Sequence, residues 1–244
     1  MLKSDENILK KVPEHLAVIM DGNRRWARKQ HLPGFAGHKA GLKTVEMIIS
    51  ESIKIGIKIL TLFAFSTENW KRSAKEINAL MKLFEESINK ESNKLIENDI
   101  RVRFIGKRND LPKSLFKKMT ALEKATYNNK KLFLNIAINY GARSEICYAF
   151  QNIYHRIINK KDRIKIDDVD EKIISKYLYT TDIVDPDLLI RTGGEKRISN
   201  FLLWQLAYTE LWFTKIFWPE FNEKNLKDAL KDYQKRVRKF GGEV

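Results

Sequence analysis

A single cysteine, Cys147, stands among 244 residues. One thiol excludes an internal disulfide framework and a cysteine-based metal site, and it suits a reducing compartment such as the cytoplasm. Proline numbers five and glycine eleven. No linker rich in proline, glycine or serine divides the chain, and neither low-complexity segments nor internal repeats occur. One domain over residues 1–244 is expected, with 1–12 as a flexible N-terminal segment. Long hydrophobic runs are missing too. Ile59 to Phe65 falls far short of the ~20 apolar residues that cross a bilayer. The opening segment, with Lys3, Asp5, Glu6, Lys10 and Lys11, lacks the apolar stretch of a secretory signal. A cytoplasmic protein is expected, in contact at most peripherally with the inner face of the cytoplasmic membrane.

Acidic residues are outnumbered, 31 against 46 basic, for a formal net charge of +15. That excess favours phosphorylated or polyanionic partners, or an anionic membrane surface. Along Glu85 to Glu97, however, lysines alternate with glutamates as on a solvated helix face, so a phosphate ligand is expected and a nucleic acid is not. Common nucleotide and metal signatures are absent: no G-x-x-x-x-G-K-[ST], no G-x-G-x-x-G, no H-E-x-x-H. Nor is there the Asp-Asp-x-x-Asp cluster with which helical trans-type prenyl synthases hold magnesium.

What is present is an alternation of strands and helices. Apolar runs predict strands at Leu16–Met20, Ile59–Phe65, Ile100–Ile105 (half exposed), Leu132–Ile138, Leu188–Ile190 and Leu211–Thr214. Helical periodicity covers about 37–54, closed by Gly56, then 74–98, 111–128, 143–158, 199–207 and a basic tail, 223–239. The polar stretch 159–185 reads as loop plus a short surface helix. Together these predict an α/β fold with a mostly parallel sheet of about six strands and helices on both faces.

Polar residues follow four of the strands at once: Asp21-Gly22-Asn23-Arg24-Arg25-Trp26; Ser66-Thr67-Glu68-Asn69-Trp70 with Arg72; Asn139-Tyr140-Gly141 with Arg143; and Arg191-Thr192-Gly193-Gly194-Glu195 with Arg197, Ser199 and Asn200. In a parallel sheet all carboxyl ends share one edge, where ligands bind. One cleft is therefore predicted, lined by Arg25, Arg72, Arg191 and Arg197 with Ser66, Asn69 and Ser199. Guanidinium forks bind phosphate oxygens bidentately. One carboxylate, Asp21, suffices for a Mg²⁺ that also takes phosphate oxygens and water. Taken alone, the Asp-Gly-Asn turn reads equally well as an ordinary strand-to-helix connection capped by Asp21. His38, at the start of its helix, is expected to be neutral there, with a ring N–H for an anion.

These segments resemble the cis-prenyltransferases, most of all the bacterial undecaprenyl diphosphate synthases. Further matches are Gly37-His38, Trp204-Gln205, Glu210-Leu211, Trp218-Pro219 and the closing Arg238-Lys239-Phe240-Gly241-Gly242, so the resemblance spans about 13–242. It implies that fold, Rossmann-like in outline, and repeated cis condensation of isopentenyl diphosphate onto an allylic diphosphate, usually farnesyl diphosphate. It further implies that Asp21 manages Mg²⁺ and the leaving diphosphate. Gly22, Asn23, Arg25 and His38 fall in the allylic pocket, Trp26 is a further substrate-binding residue, and Arg191, Arg197 and Ser199 fall in the isopentenyl diphosphate site. Ser66 and Asn69 serve proton removal, Trp70 and Arg72 belong to a segment closing over substrate, and Glu210 is a second magnesium carboxylate near a homodimer interface. A long product, near the undecaprenyl carrier lipid of cell-wall assembly, is expected. A shorter-chain synthase and a non-catalytic subunit of such an enzyme are the alternatives. Three departures stand out: Gly34 and Ser73 replace an arginine and a proline of many relatives, and Gly141-Ala142-Arg143 replaces Gly-Gly-Arg. Relatives often carry glycine where this chain has Arg24. Tunnel walls are expected from Leu62, Ala64, Leu80, Met81, Phe84, Ile88, Leu134, Ile136 and Ile138.

Overall fold

The structure, a computed structural model, describes residues 11–159 and 164–238. Six strands form one sheet: β1 (His15–Ile19), β2 (Ile59–Ser66), β3 (Ile100–Ile105), β4 (Leu132–Tyr140), β5 (Leu188–Arg191) and β6 (Glu210–Phe213). Their order is β3-β4-β2-β1-β5-β6, and every pairing is parallel. All six carboxyl ends therefore lie on one edge, as the sequence predicted, and β1 sits between β2 and β5.

The pleat sorts side chains between two cores. Leu16 and Val18 point with Leu60, Leu62, Leu188 and Ile190 into the larger cluster. There they meet α2 (Gly34–Ile55), α3 (Ala74–Glu97), α4 (Lys113–Ala125) and α7 (Glu223–Gln234) through Ile48, Leu80, Met119 and Leu230. Ala17, Ile19 and Leu189 face the other way. There they meet Ala142 of α5 (Ala142–Ile158) and the loop residues Phe201, Leu202 and Leu206. The short helices α1 (Asn23–Lys29) and α6 (Glu171–Tyr177) complete the set. In β3, Arg101 and Arg103 fall on the half-exposed face and stack over Phe133.

Local chemistry explains the boundaries. Gly56, at φ +92°, closes α2 in a conformation only glycine adopts without strain. The Ser73 side chain caps α3 by accepting from the Glu76 amide at 3.3 Å. Three expectations fail. The turn read at Asp21 to Trp26 runs on into a helix, α1. The tail helix expected over 223–239 ends at Gln234, and 235–238 are not helical. The helix expected at 199–207 is absent: Ser199, Asn200 and Leu202 have φ of 49°, 61° and 44°. Helical spacing of Phe201, Leu202 and Leu206 there marks a loop pressed onto the second core. Within 159–185, α6 is the short surface helix foreseen. Residues 1–10 of the expected flexible segment, and 239–242 of the closing motif, lie outside the described residues.

Candidate active site

Asp21 leaves β1 just before Gly22, whose φ of +103° turns the chain into α1. Its carboxylate is held from three sides. Oδ2 accepts from Arg191 Nη2 at 2.8 Å, Oδ1 from the Gly22 amide at 2.6 Å, and Arg25 Nη2 stands 3.1 Å from Oδ1. Burial alone would raise the carboxyl's pKa. The hydrogen bond and charge of Arg191, then the charge of Arg25 and the Gly22 amide, outweigh it and hold Asp21 below the usual carboxylate range. Thr192 braces the backbone, its Oγ1 donating to the Asp21 carbonyl at 2.7 Å and accepting from the Asp21 amide at 3.0 Å.

Arg191 is 4% exposed. Besides Asp21, its guanidinium donates to Ser199 Oγ at 2.7 Å and to the Arg197 carbonyl. Glu195 gathers the flanking cations, with Arg25 at 3.3 Å and Arg197 at 2.5 Å. Across the cleft, Ser66 and Asn69 form a reciprocal cap. The Ser66 side chain accepts from the Asn69 backbone, and Asn69 Oδ1 accepts from the Ser66 amide at 3.1 Å. Arg72 donates to Glu76 at 3.0 Å, and Arg24 reaches the same carboxylate at 3.6 Å.

These groups surround a cavity of about 630 Å³ lined by Asp21, Asn23, His38, Ser66, Asn69, Arg72, Arg191, Arg197 and Ser199. Its deeper walls are apolar: Leu42, Val45, Ala64, Leu80, Leu83 and Phe84. An adjoining cavity of about 310 Å³ is lined by Gly22, Arg24, Arg25, Arg28, His38 and Arg72. A third, of about 410 Å³, shares Leu42 and Val45 and continues between α2, α3 and the sheet past Ile88, Leu134 and Ile136. Of the expected tunnel walls, Ala64, Leu80, Phe84, Ile88, Leu134 and Ile136 line these spaces. Leu62, Met81 and Ile138 are buried in the larger core.

Several expected residues are placed differently. Arg25 borders the adjoining cavity, not the main one. Trp26 is half-buried on α1 and borders none of these three cavities. Trp70 acts as a brace, its Nε1 donating to Asn139 Oδ1 at 2.7 Å. His38 sits in the second turn of α2, because the helix begins at Gly34. Its pKa is lowered to about 4, first by burial and then by Arg72 and Arg24, so the helix terminus is not the cause. Glu210 opens β6, in register with Leu188, ~10 Å back from the carboxyl edge at ~3.3 Å per residue. There it binds Arg236 at 2.9 Å, so one chain does not bring it to Asp21. Thr192 and Asn139 stand in the strand-end segments with no role assigned from the sequence, and Glu76 lies outside them. Each gains its role from partners far along the chain, apart from Arg72 four residues before Glu76.

The donor set fits a magnesium ion carried by a diphosphate. Among the described residues no group of three or more His, Cys, Asp or Glu would hold a metal alone. Asp21 is one ionised carboxylate surrounded by phosphate-binding arginines. Three buried polar atoms on residues lining the same cleft, Asn23 Oδ1, His38 Nε2 and Arg191 Nε, lack a hydrogen-bond partner, as expected where a ligand completes the site.

A cationic mouth over a hydrocarbon-lined chamber suits an amphiphile with an anionic head. The comparisons with known proteins agree. Residues 19–241 match the prenyltransferase family described as undecaprenyl diphosphate synthase. The isoprenyl transferase of Clostridium perfringens is 48% identical over 232 residues, 95% of this chain and 91% of that one. That of Bacillus thuringiensis is 47% identical over 231 residues, 95% and 89%. Lavandulyl diphosphate synthase from Lavandula x intermedia, solved with dimethylallyl diphosphate, superposes with a TM-score of 0.91 at 37% identity, over 94% of this chain and 98% of that one. A probable undecaprenyl diphosphate synthase from Campylobacter jejuni gives 0.78 at 35% identity, over 95% and 100%. The chain belongs to the undecaprenyl diphosphate synthase family of cis-prenyltransferases. It is a transferase.

Proposed function

We propose that this protein condenses isopentenyl diphosphate repeatedly, in the cis sense, onto farnesyl diphosphate to make a long-chain polyprenyl diphosphate, near the undecaprenyl carrier lipid of cell-wall synthesis. The observation that carries this reading is Asp21, ionised between Arg191 and Arg25 in a polar cleft whose apolar wall, at Leu42 and Val45, is shared with a second, apolar cavity.

Gly22, Asn23, Arg25 and His38 hold the allylic diphosphate, with Arg72 across from them and Trp26 and Trp70 supporting α1 and the Thr67–Lys71 turn. Asp21 holds Mg²⁺, which supplies positive charge to the departing diphosphate. Arg191, Arg197 and Ser199 hold isopentenyl diphosphate. The homoallylic double bond then attacks the allylic carbon as diphosphate leaves. Ser66 and Asn69, fixed by their reciprocal cap, stand where the proton is lost, and the departing diphosphate, the base that the reaction itself supplies, accepts it. The arginines stabilise charge as it develops on the leaving group. Leu80, Phe84 and Ile88 keep water from the cation-like carbon and shelter the growing chain.

A homodimer forms part of the proposal. On α5, Phe150, Tyr154 and Ile158 recur at i, i+4 and i+8 and are 63%, 52% and 56% exposed, an apolar stripe suited to a second copy. Glu210 joins the metal site only if dimerisation brings it there. We place the chain in the cytoplasm, with any membrane contact peripheral and through its product; no helix among the described residues is long and apolar enough to cross a membrane.

Incubation with farnesyl diphosphate, labelled isopentenyl diphosphate and Mg²⁺, followed by sizing of the product, tests the reading. A ladder ending near the undecaprenyl length is expected. A product of one or two additions would replace the carrier-lipid role with that of a shorter-chain synthase.

A further inference from the structure

The loop that carries Arg197 and Ser199 departs from the backbone regions L-residues prefer. Ser199, Asn200 and Leu202 all have positive φ, a state that persists only where its surroundings over-determine it. Asn200 supplies much of the restraint. Its Nδ2 donates to Glu68 Oε1 at 2.8 Å. Its Oδ1 accepts from the Arg143 amide at 2.9 Å, and its carbonyl accepts from the Ala142 amide at 2.8 Å. Glu68 lies in the Thr67–Lys71 turn, beside Asn69, and both Glu68 and Asn200 line the main cavity. Gly141 permits the close approach: a Cβ there would stand 2.5 Å from Thr67 Oγ1 and 2.8 Å from Asn200 Nδ2.

We propose that Asn200 is a positioning residue that latches the Arg197–Ser199 loop to the turn bearing Asn69. The inference rests on the proposed function, in which one loop holds isopentenyl diphosphate and the other stands at the departing proton. Through Glu68 the latch sets the spacing between them. Misplacement by about 1 Å costs on the order of a hundredfold in rate, so a hydrogen bond that fixes this spacing acts on turnover without touching substrate.

A reciprocal exchange tests the latch. Asn200→Asp sets a carboxylate against that of Glu68. We expect kcat to fall on the order of a hundredfold and KM for isopentenyl diphosphate to rise about tenfold, with KM for farnesyl diphosphate unmoved. Glu68→Gln keeps an acceptor oxygen for Asn200 and stays within about threefold of the parent. Combining the two changes reverses the bond: the new amide at 68 donates to the new carboxylate at 200, which still accepts from the Arg143 amide. The double variant should return to within about threefold of the parent. Melting midpoints should follow the same cycle without substrate, falling in Asn200→Asp and recovering in the double variant. A double variant no better than Asn200→Asp, in turnover or in melting, overturns the latch. So does an equal rise in both KM values with kcat unchanged. A parent protein that makes no product overturns the functional reading, and with it the positioning role; the melting cycle then still reports whether the bond exists.

Discussion

Asp21 and Arg191 define each other. Each is the other's main charged partner inside the fold, and Arg191 divides its donors among Asp21, Ser199 and the Arg197 carbonyl. A lysine cannot reproduce that fork. Arg191→Lys should therefore cost roughly 3 kcal/mol of folding stability, because Asp21 and Ser199 lose a buried partner, and should raise KM for isopentenyl diphosphate at least about tenfold. Chemical denaturation and steady-state kinetics on one preparation check both; an unchanged midpoint would show the pair to be dispensable. Asp21, Arg191, Ser199, Ser66 and Asn69 were legible in the sequence because each stands at or just beyond a strand's carboxyl end, where a parallel sheet collects its ligand groups. The bracing roles of Thr192, Glu76 and Asn139 were not, since a brace is defined by a partner far along the chain. Glu210 differs from these: its strand begins there, so within one chain it faces the other edge, and its expected metal role depends on the dimer.

At the scale of elements, two contacts set the cleft. Where α1 crosses α2, a Cβ on Gly37 would stand 1.9 Å from the Asn23 carbonyl oxygen. Backbone cannot yield as a flexible side chain does, so Gly37→Ala should cost about 1–3 kcal/mol and shift Asn23 and His38 together. A lowered melting midpoint with a raised KM for farnesyl diphosphate is the expected pair of results. At the far edge, His15 joins β1 to β2 and to the loop before β5: Nδ1 donates to the Val184 carbonyl at 2.6 Å and Nε2 accepts from Thr61 Oγ1 at 2.7 Å. Burial lowers its pKa to about 4 from 6.5, against the raising effects of Val184 and Asp187. The fold thus favours the neutral ring, and the unfolded chain binds the extra proton first. This stability is complete above pH 6.5 and is lost as pH falls toward 4, to a limit of about 3 kcal/mol. Unfolding free energies between pH 7 and pH 4.5 should fall less steeply in His15→Gln; equal slopes would remove His15 from the account. Strand positions were readable because apolar runs in a two-faced parallel sheet are nearly continuous. The 199–207 loop was misread because apolar residues spaced to meet a sheet face copy the spacing of a helix.

For the molecule as a whole, parallel pairing converts four separate polar segments into one wall, while α2 and α3 stand apart from the sheet enough to leave the apolar chamber. The proposed dimer predicts that Phe150→Glu with Tyr154→Glu yields a folded monomer by sedimentation; a persistent dimer would put the interface elsewhere. The central claim is that the Asp21 cleft carries out the condensation. Its most direct test is single-turnover addition of labelled isopentenyl diphosphate to farnesyl diphosphate at saturating Mg²⁺, comparing the parent protein with Asp21→Ala at equal folded concentration. The account predicts product from the parent and a rate lowered on the order of a thousandfold in the variant. Near-full turnover by Asp21→Ala would contradict it.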